Sequence, residues 1–213
     1  MTGPISIKDD FVSVIGLGGK LLGTGKNIKI LQTGNKSDLL ITGLIIEGQG
    51  KDDGHTSSGR GCIHVDASST RIQIIGNRIL NANGSGIVED GLGYCVISNN
   101  EINVTGEHGI YLSSSFKAIV TNNSIYKAGF NSGLTTPVCF GVKVDGCVGC
   151  TISNNTINDS LSNAIQFAAN AERNVVSGNT MAMTLAGSAS AISVSGGMSV
   201  RNLISNNTFY QLV

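Results

Sequence analysis

Few side chains in this sequence can move a proton or hold a charge against a substrate, and those that can recur at intervals. His64, Tyr111, Lys143 and Gln166 each follow an aliphatic residue (Ile63, Ile110, Val142, Ile165) within a short apolar alternation, and Asp66, Asp90 and Asp145 close three of these runs. Glu89 and His108 stand beside them. Glycoside hydrolysis needs two carboxylates, roughly 5–5.5 Å apart for retention or 6.5–9.5 Å for inversion, and Asp66, Asp90 and Asp145 could form such a pair in either combination. Elimination would instead need a base, such as Lys143, Tyr111 or His108, and a group to neutralise the sugar carboxylate. Either chemistry requires the chain to bring these widely separated positions onto one surface.

A repeat supplies the means. The segments IIGNRI (74–79), VISNNEI (96–102), IVTNNSI (119–125), TISNNTI (151–157), VVSGNTM (175–181) and LISNNTF (203–209) are one motif. Its asparagines, Asn77, Asn100, Asn123, Asn155, Asn179 and Asn207, lie 23, 23, 32, 24 and 28 residues apart. ITGLII (41–46) is an earlier copy with Leu44 in the Asn place. A second motif follows at a near-constant offset: GIVE (86–89), GIYL (109–112), GVKV (141–144), AIQF (164–167) and AISV (191–194), with CIHV (62–65) and NIKI (27–30) before them. Apolar residues alternate with period two and β-branched types dominate, so each unit reads as three short strands and three corners. Strands this short, joined by corners too polar for helices, satisfy their backbone only by pairing with the same strand of the next unit. The result is a parallel β-helix, with coils about 4.8 Å apart and like residues in columns.

The columns make chemical sense. Gly43, Gly76, Asn99, Asn122, Asn154, Gly178 and Asn206 fill a corner position that suits the left-handed conformation. The next column is an inward amide ladder. Ile28, Ile63, Ile87, Ile110, Val142, Ile165 and Ile192 make one core column, and Ile30, Val65, Leu112, Val144, Phe167 and Val194 another. Glu89 falls in the second, where a carboxylate is costly unless the strand turns it outward or a partner meets it.

Composition narrows the function. There are 29 glycines and 21 asparagines, and only 13% of residues are charged, which excludes helical bundles. Net charge is zero, so the chain lacks the basic stripe that nucleic acid demands, and no apolar run is long enough for membrane insertion. Cys147-x-x-Cys150 with Cys139 lacks a fourth ligand at zinc spacing, so the expectation is buried thiols, no metal and no cofactor.

With the repeat in place, about residues 12–209 resemble the right-handed parallel β-helices of the pectate-lyase-like superfamily, and most of all bacteriophage tailspike domains. VIGLGGKLLGTGKNIKIL followed by LLITGLIIEG looks like the first coils of a tailspike β-helix. The resemblance implies an all-β, single-stranded, right-handed parallel β-helix of about seven complete coils with an internal Asn ladder: a lead-in over 1–11, then the helix over 12–213, read as a fragment of a longer chain or a short tailspike module. It also implies that an active site lies on the strand that follows the long corner. GEHGIYLSS (106–114) is similar to the Gly-His-Gly segment of polygalacturonases, with His108 on the matching histidine. Where those enzymes carry paired aspartates this chain has Ser85 and Gly86, a departure from their chemistry.

Two corners, Glu47 to Gly61 and Tyr126 to Phe140, are about ten residues longer than the rest and lead into that same strand. They would wall a groove of about 14 Å, three coils wide. The expected catalytic residues are Asp66, Glu89, Asp90, His108 and Asp145, with His64, Tyr111, Lys143 and Gln166 binding substrate and Tyr111 as a stacking platform. The expected function is that of a virion tailspike, made in the bacterial host cytoplasm, that binds and depolymerises a bacterial surface polysaccharide by hydrolysis rather than elimination. The alternative is a non-catalytic receptor-binding or structural β-helix, of a virion, secreted, or on a bacterial surface. An outward row of Gln73, Val96, Ile119, Thr151, Val175 and Leu203 exposes apolar side chains that a homotrimer would cover.

Overall fold

The computed structural model describes residues 5–23, 29–48, 61–130, 138–184, 190–196 and 199–212. Among these, every regular element is a short strand, and the strands form three parallel sheets of eight, wound as a right-handed coil of about seven turns. The first sheet runs Ile5–Ser6, Leu31–Gln32, Gly61–Val65, Ser85–Glu89, Ile110–Ser113, Val142–Asp145, Ile165–Ala168 and Ile192–Val194. The second contains Val96–Ser98 and Ile119–Thr121, and the third Glu101–Thr105 and Ser124–Tyr126, each followed coil by coil in register. Pairing already includes Ile5–Ser6, inside the stretch that the sequence sets aside as a lead-in.

Three corners per coil interrupt the backbone ladder, and asparagine repairs one of them. Asn100 Oδ1 accepts from the amide and from Nδ2 of Asn77 at 2.9 and 3.0 Å, while Asn100 Nδ2 donates to Ile74 O at 2.9 Å and to Asn123 Oδ1 at 3.0 Å. The pattern continues through Asn155 and Asn179 to Asn207. At the N-terminal end Leu44, in the Asn place, still gives its amide to Asn77 Oδ1. The preceding column is left-handed throughout, from Gly43 at φ 67° to Asn206 at φ 53°.

A second amide ladder, which the repeat motif does not reveal, begins at another corner. Asn174 Oδ1 accepts from the Cys150 amide at 2.8 Å, and Asn202 Oδ1 accepts from both the amide and Nδ2 of Asn174. It has two members because the same inward column reads Leu39, Ile72, Cys95, Ala118 and Cys150 in the earlier coils.

Two expectations about the core need correction. Ile28 lies outside the described residues, and the residue stacked on Ile63 is Leu31, with Gln32 on His64. Thr33 follows, wholly buried, and gives its amide to His64 O, so Ile30 does not share a column with Val65. The corner sets this register: Gly34, at φ 62°, donates its amide to Asp66 at 2.7 Å and places the strand end.

Glu89 is the second. It pairs between Val65 and Leu112 and is neither turned outward nor matched with a counter-charge: the residue is 0% exposed and neither carboxyl oxygen has a hydrogen-bond partner. Burial, assisted by the nearby Cys147 thiol, pushes its carboxyl from 4.5 up to about 9, against a small opposing pull from the Gly91 amide. It is therefore an uncharged acid inside the coil and does not reach the outer face.

Two outcomes follow for stability. Asn123→Ala should lower the free energy of unfolding by about 3–4 kcal/mol, because it takes partners from the Asn100 amide, Asn100 Nδ2 and Ile97 O on the preceding coil in a fully buried place, whereas Asn207→Ala, half-buried at the end of the ladder, should cost about 1–2 kcal/mol. Denaturant unfolding measures both. Because the folded-state pKa of Glu89 is raised, its contribution to stability is fully present below pH 4.5 and is lost as the pH rises towards 9, while only the unfolded chain ionises. Glu89→Leu should remove that slope and raise neutral-pH stability by about 1–3 kcal/mol; parallel pH profiles for variant and wild type would contradict it.

Candidate functional site

Along each strand of the first sheet alternate side chains enter the core, and the others form an outer column. Register makes that column Gln32, His64, Val88, Tyr111, Lys143, Gln166 and Ser193. One step later, at the strand ends, Ser113 pairs with Asp145, and Asp66 and Asp90 occupy the same row in the earlier coils. The candidates are thus brought together as the sequence implies, with Glu89 left inside.

They fall into two contacting groups. In the first, His64 Nε2 lies 3.4 Å from Asp90 Oδ2 and 3.7 Å from Asp66 Oδ1. Lys29, from the NIKI segment but absent from the expected site residues, reaches Asp66 at 3.4 Å. Asp66 also accepts from the Gly34 amide and from Thr33 Oγ1, so much of its bonding capacity holds the corner. Among the described residues the Asp90 carboxylate has no such tie: its one short contact there is with His64. Because one ring nitrogen contacts both, the two contacting carboxylate oxygens lie no farther apart than the sum of those distances, an upper bound compatible with a glycosidase pair. Burial and the Lys29 charge lower the His64 pKa from 6.5, and the two aspartates only partly offset them, so the ring is neutral at pH 7. Its Nδ1 is buried without a partner.

In the second group the Tyr111 hydroxyl donates to Asp145 Oδ2 at 3.2 Å, and Lys143 Nζ lies 3.3 Å from the same oxygen. Lys143 also sits 4.7 Å above the Tyr111 ring, a cation–π contact. Burial, with the charge of Asp145, raises the Tyr111 pKa to about 12, so this hydroxyl is a proton donor and not a base near neutrality. The Asp90 charge acts on the same phenol, which links the two groups.

Two expected roles, those of His108 and Tyr111, change with this geometry. His108 is buried beneath Tyr111, its ring stacked on Phe140 at 5.3 Å and edge-on to Tyr111 at 5.4 Å. Its Nδ1 accepts the Phe140 amide at 3.2 Å, and burial with the Lys143 charge takes its pKa down to about 3. It is a neutral ring whose remaining proton is on Nε2, suited to holding Tyr111 and not to accepting a proton. Tyr111 itself is 8% exposed, with Lys143 on one side and His108 on another, so it offers no bare face for a sugar. Gln166 is half-buried and donates to Ser195 Oγ at 2.9 Å.

The site is recessed at one end. His64 and Val88 are nearly solvent-free although outside the main core, whereas Lys143, Gln166 and Ser193 are partly open. Of the two long corners expected to wall it, residues 49–60 and 131–137 lie outside the described residues.

Comparison with known proteins fits this architecture. The structure is similar to the enzymatically active domain of tailspike protein 2 from bacteriophage CBA120, with a TM-score of 0.57 and 12% identity over 85% of this chain and 32% of that one. It is also similar to a full-length tailspike protein 2 from an Escherichia coli bacteriophage, with a TM-score of 0.53 and 11% identity over 100% of this chain and 38% of that one. The chain thus spans about a third of the length of these tailspikes, and the likeness is one of fold. No curated protein matches its sequence. The family model described as a right handed beta helix region matches residues 61–212, and with the coil and the ladder already traced, the chain belongs to that family.

Proposed function

We propose that this chain is a tailspike-type β-helix that binds a bacterial surface polysaccharide and hydrolyses it on the outer face of the first sheet. The observation that carries the proposal is the convergence of Asp66 and Asp90 on the His64 ring, 3.7 and 3.4 Å away, on adjacent coils beside the Tyr111–Asp145 pair. Two neighbouring carboxylates on one face supply the pair of groups that glycoside hydrolysis needs. Asp90, free of structural duty, is the residue assigned to proton transfer or attack; Asp66 or Asp145 is its counterpart. Lys143 and Gln166, on the open part of the column, face the saccharide, and His64 orients Asp90. Elimination through Tyr111 or His108 is disfavoured because the Tyr111 hydroxyl keeps its proton near neutrality and the His108 ring is buried with Nδ1 already accepting the Phe140 amide. The tailspike likeness supports a place on a phage tail, and a homotrimer packed through the second sheet, where Ile119 and Leu203 are exposed and Val96 and Val175 half-exposed.

One observation favours binding without cleavage: most polar groups of the stripe already have protein partners, and His64 and Tyr111 are almost closed to solvent. The same experiment separates the readings. Incubated with capsule or lipopolysaccharide from a panel of bacterial hosts, wild type should release oligosaccharides. Asp90→Asn should slow release about 10²–10⁴-fold with binding intact, since the amide keeps the shape but cannot carry the proton. Attachment with no release by wild type supports the binding-only reading, and unchanged release by Asp90→Asn excludes this site. For assembly, sedimentation should show three copies of the 22.0 kDa chain, and Ile119→Lys with Leu203→Lys should yield monomers.

A further inference from the structure

The corner joining the first sheet to the second carries a column on which neither the fold nor the candidate site draws. Phe11, Asp38, Arg71, Tyr94, Lys117, Gly149, Arg173 and Arg201 occupy it on successive coils, all left-handed, with φ between 56° and 69°. Glycine takes this conformation without strain, as Gly149 does; Tyr94 and Lys117 are bulky residues there. Both are exposed, Tyr94 at 55%, and beside them lie Phe116 at 41% and Leu92 at 64%. The Tyr94 and Phe116 rings meet edge-on with centroids 6.4 Å apart, and Lys117 Nζ sits 5.6 Å and 4.9 Å from them.

The charges differ along the column. Arg71 is bound by both Asp38 oxygens, and Arg173 and Arg201 share Glu172. Lys117 has no carboxylate within ion-pair distance among the described residues. The centre of the edge is thus an exposed aromatic pair holding an unneutralised ammonium, flanked by guanidinium groups over five coil steps, about 24 Å. Solvent-exposed aromatic surface favours a ligand with an apolar face, and an unpaired ammonium favours an anion on the same ligand. A sugar ring has a C–H face, and an acidic sugar adds a carboxylate.

We infer that this edge is a second saccharide-binding surface, selective for polysaccharides with sugar carboxylates, in which Tyr94 and Phe116 stack a ring and Lys117 pairs its carboxylate. It lies where the first-sheet strands leave the site face, on the side away from the two long corners. The occupant's class rests on the saccharide reading above, but the surface does not depend on cleavage.

Electrophoresis in gels containing polygalacturonate, its fully methyl-esterified form, or polysialate tests this. Wild type should be retarded by at least one acidic polymer and not by the ester. Lys117→Gly and Tyr94→Gly, which relieve a left-handed position and so keep the fold, should weaken retention about tenfold, while Lys8→Ala, the same loss of charge elsewhere, should not. The proposal is overturned if neither acidic polymer retards wild type, if the ester does so equally, if the glycine variants bind as wild type does, or if Tyr94→Gly alters the sedimentation coefficient, which would mean that a second copy covers the edge. Oligosaccharide release by Asp90→Asn reports on the first site separately, so either surface can fail alone.

Discussion

Each coil of this protein must satisfy the backbone groups that its corners expose, and a buried amide side chain does so at the one corner that repeats without change. An asparagine in that place accepts twice from the coil before it and donates to that coil's carbonyl and to the Oδ1 of the next asparagine. A one-residue slip would leave at least a donor and an acceptor unpaired in a region closed to water, where each costs about 1–3 kcal/mol. The ladder therefore fixes register as well as stability. Once register is fixed, residues 23 to 32 positions apart become neighbours, and every other column follows.

Register also decides which ionisable residues can act. In the Ser85–Glu89 strand the alternation sends Ile87 and Glu89 inward and Val88 outward, and Asp90, one step further, reaches the corner with Asp66 and Asp145. Adjacent carboxyl groups, Glu89 and Asp90, thus have opposite fates: one is neutralised by burial, the other stands beside an imidazole at the surface. A sheet with period-two alternation and one solvated face makes this separation wherever two acids are consecutive.

The coil, its three sheets and the main ladder were legible because each depends on a residue type recurring at a fixed place. What was not legible depends on contacts between residues that do not repeat. Leu31 replaces Ile28 beneath Ile63 because Gly34 and Asp66 set the first-sheet corner, a pair that no period announces. His108 looks like a surface histidine until Phe140, from the following coil, covers its ring and takes its Nδ1. Asn174 and Asn202 are too few to read as a ladder. Lys29 lies inside NIKI (27–30), but the repeat puts it in the column of His64, where the structure has Gln32, so its contact with Asp66 is not read from the motif.

Where chemistry can arise in such a scaffold follows from the same asymmetry. Inward columns must stack like on like, because a change in one coil is felt by two neighbours in a close-packed interior. Outward columns and corner residues carry no such obligation: His64, Val88, Tyr111, Lys143 and Gln166 follow one another with no shared chemistry, and so do Arg71, Tyr94, Lys117 and Gly149. Irregularity on those positions, set on a backbone whose regularity the asparagines maintain, is what a binding surface requires, since recognition needs different groups at defined spacings. The first-sheet face and its exit corner are two of the places where aromatic and charged side chains interrupt the repeat together; Lys127 over Tyr126 and Phe130, at the corner after the third sheet, is another. That coincidence, and not any single residue, is the ground on which the first-sheet face and its exit corner are proposed as ligand surfaces.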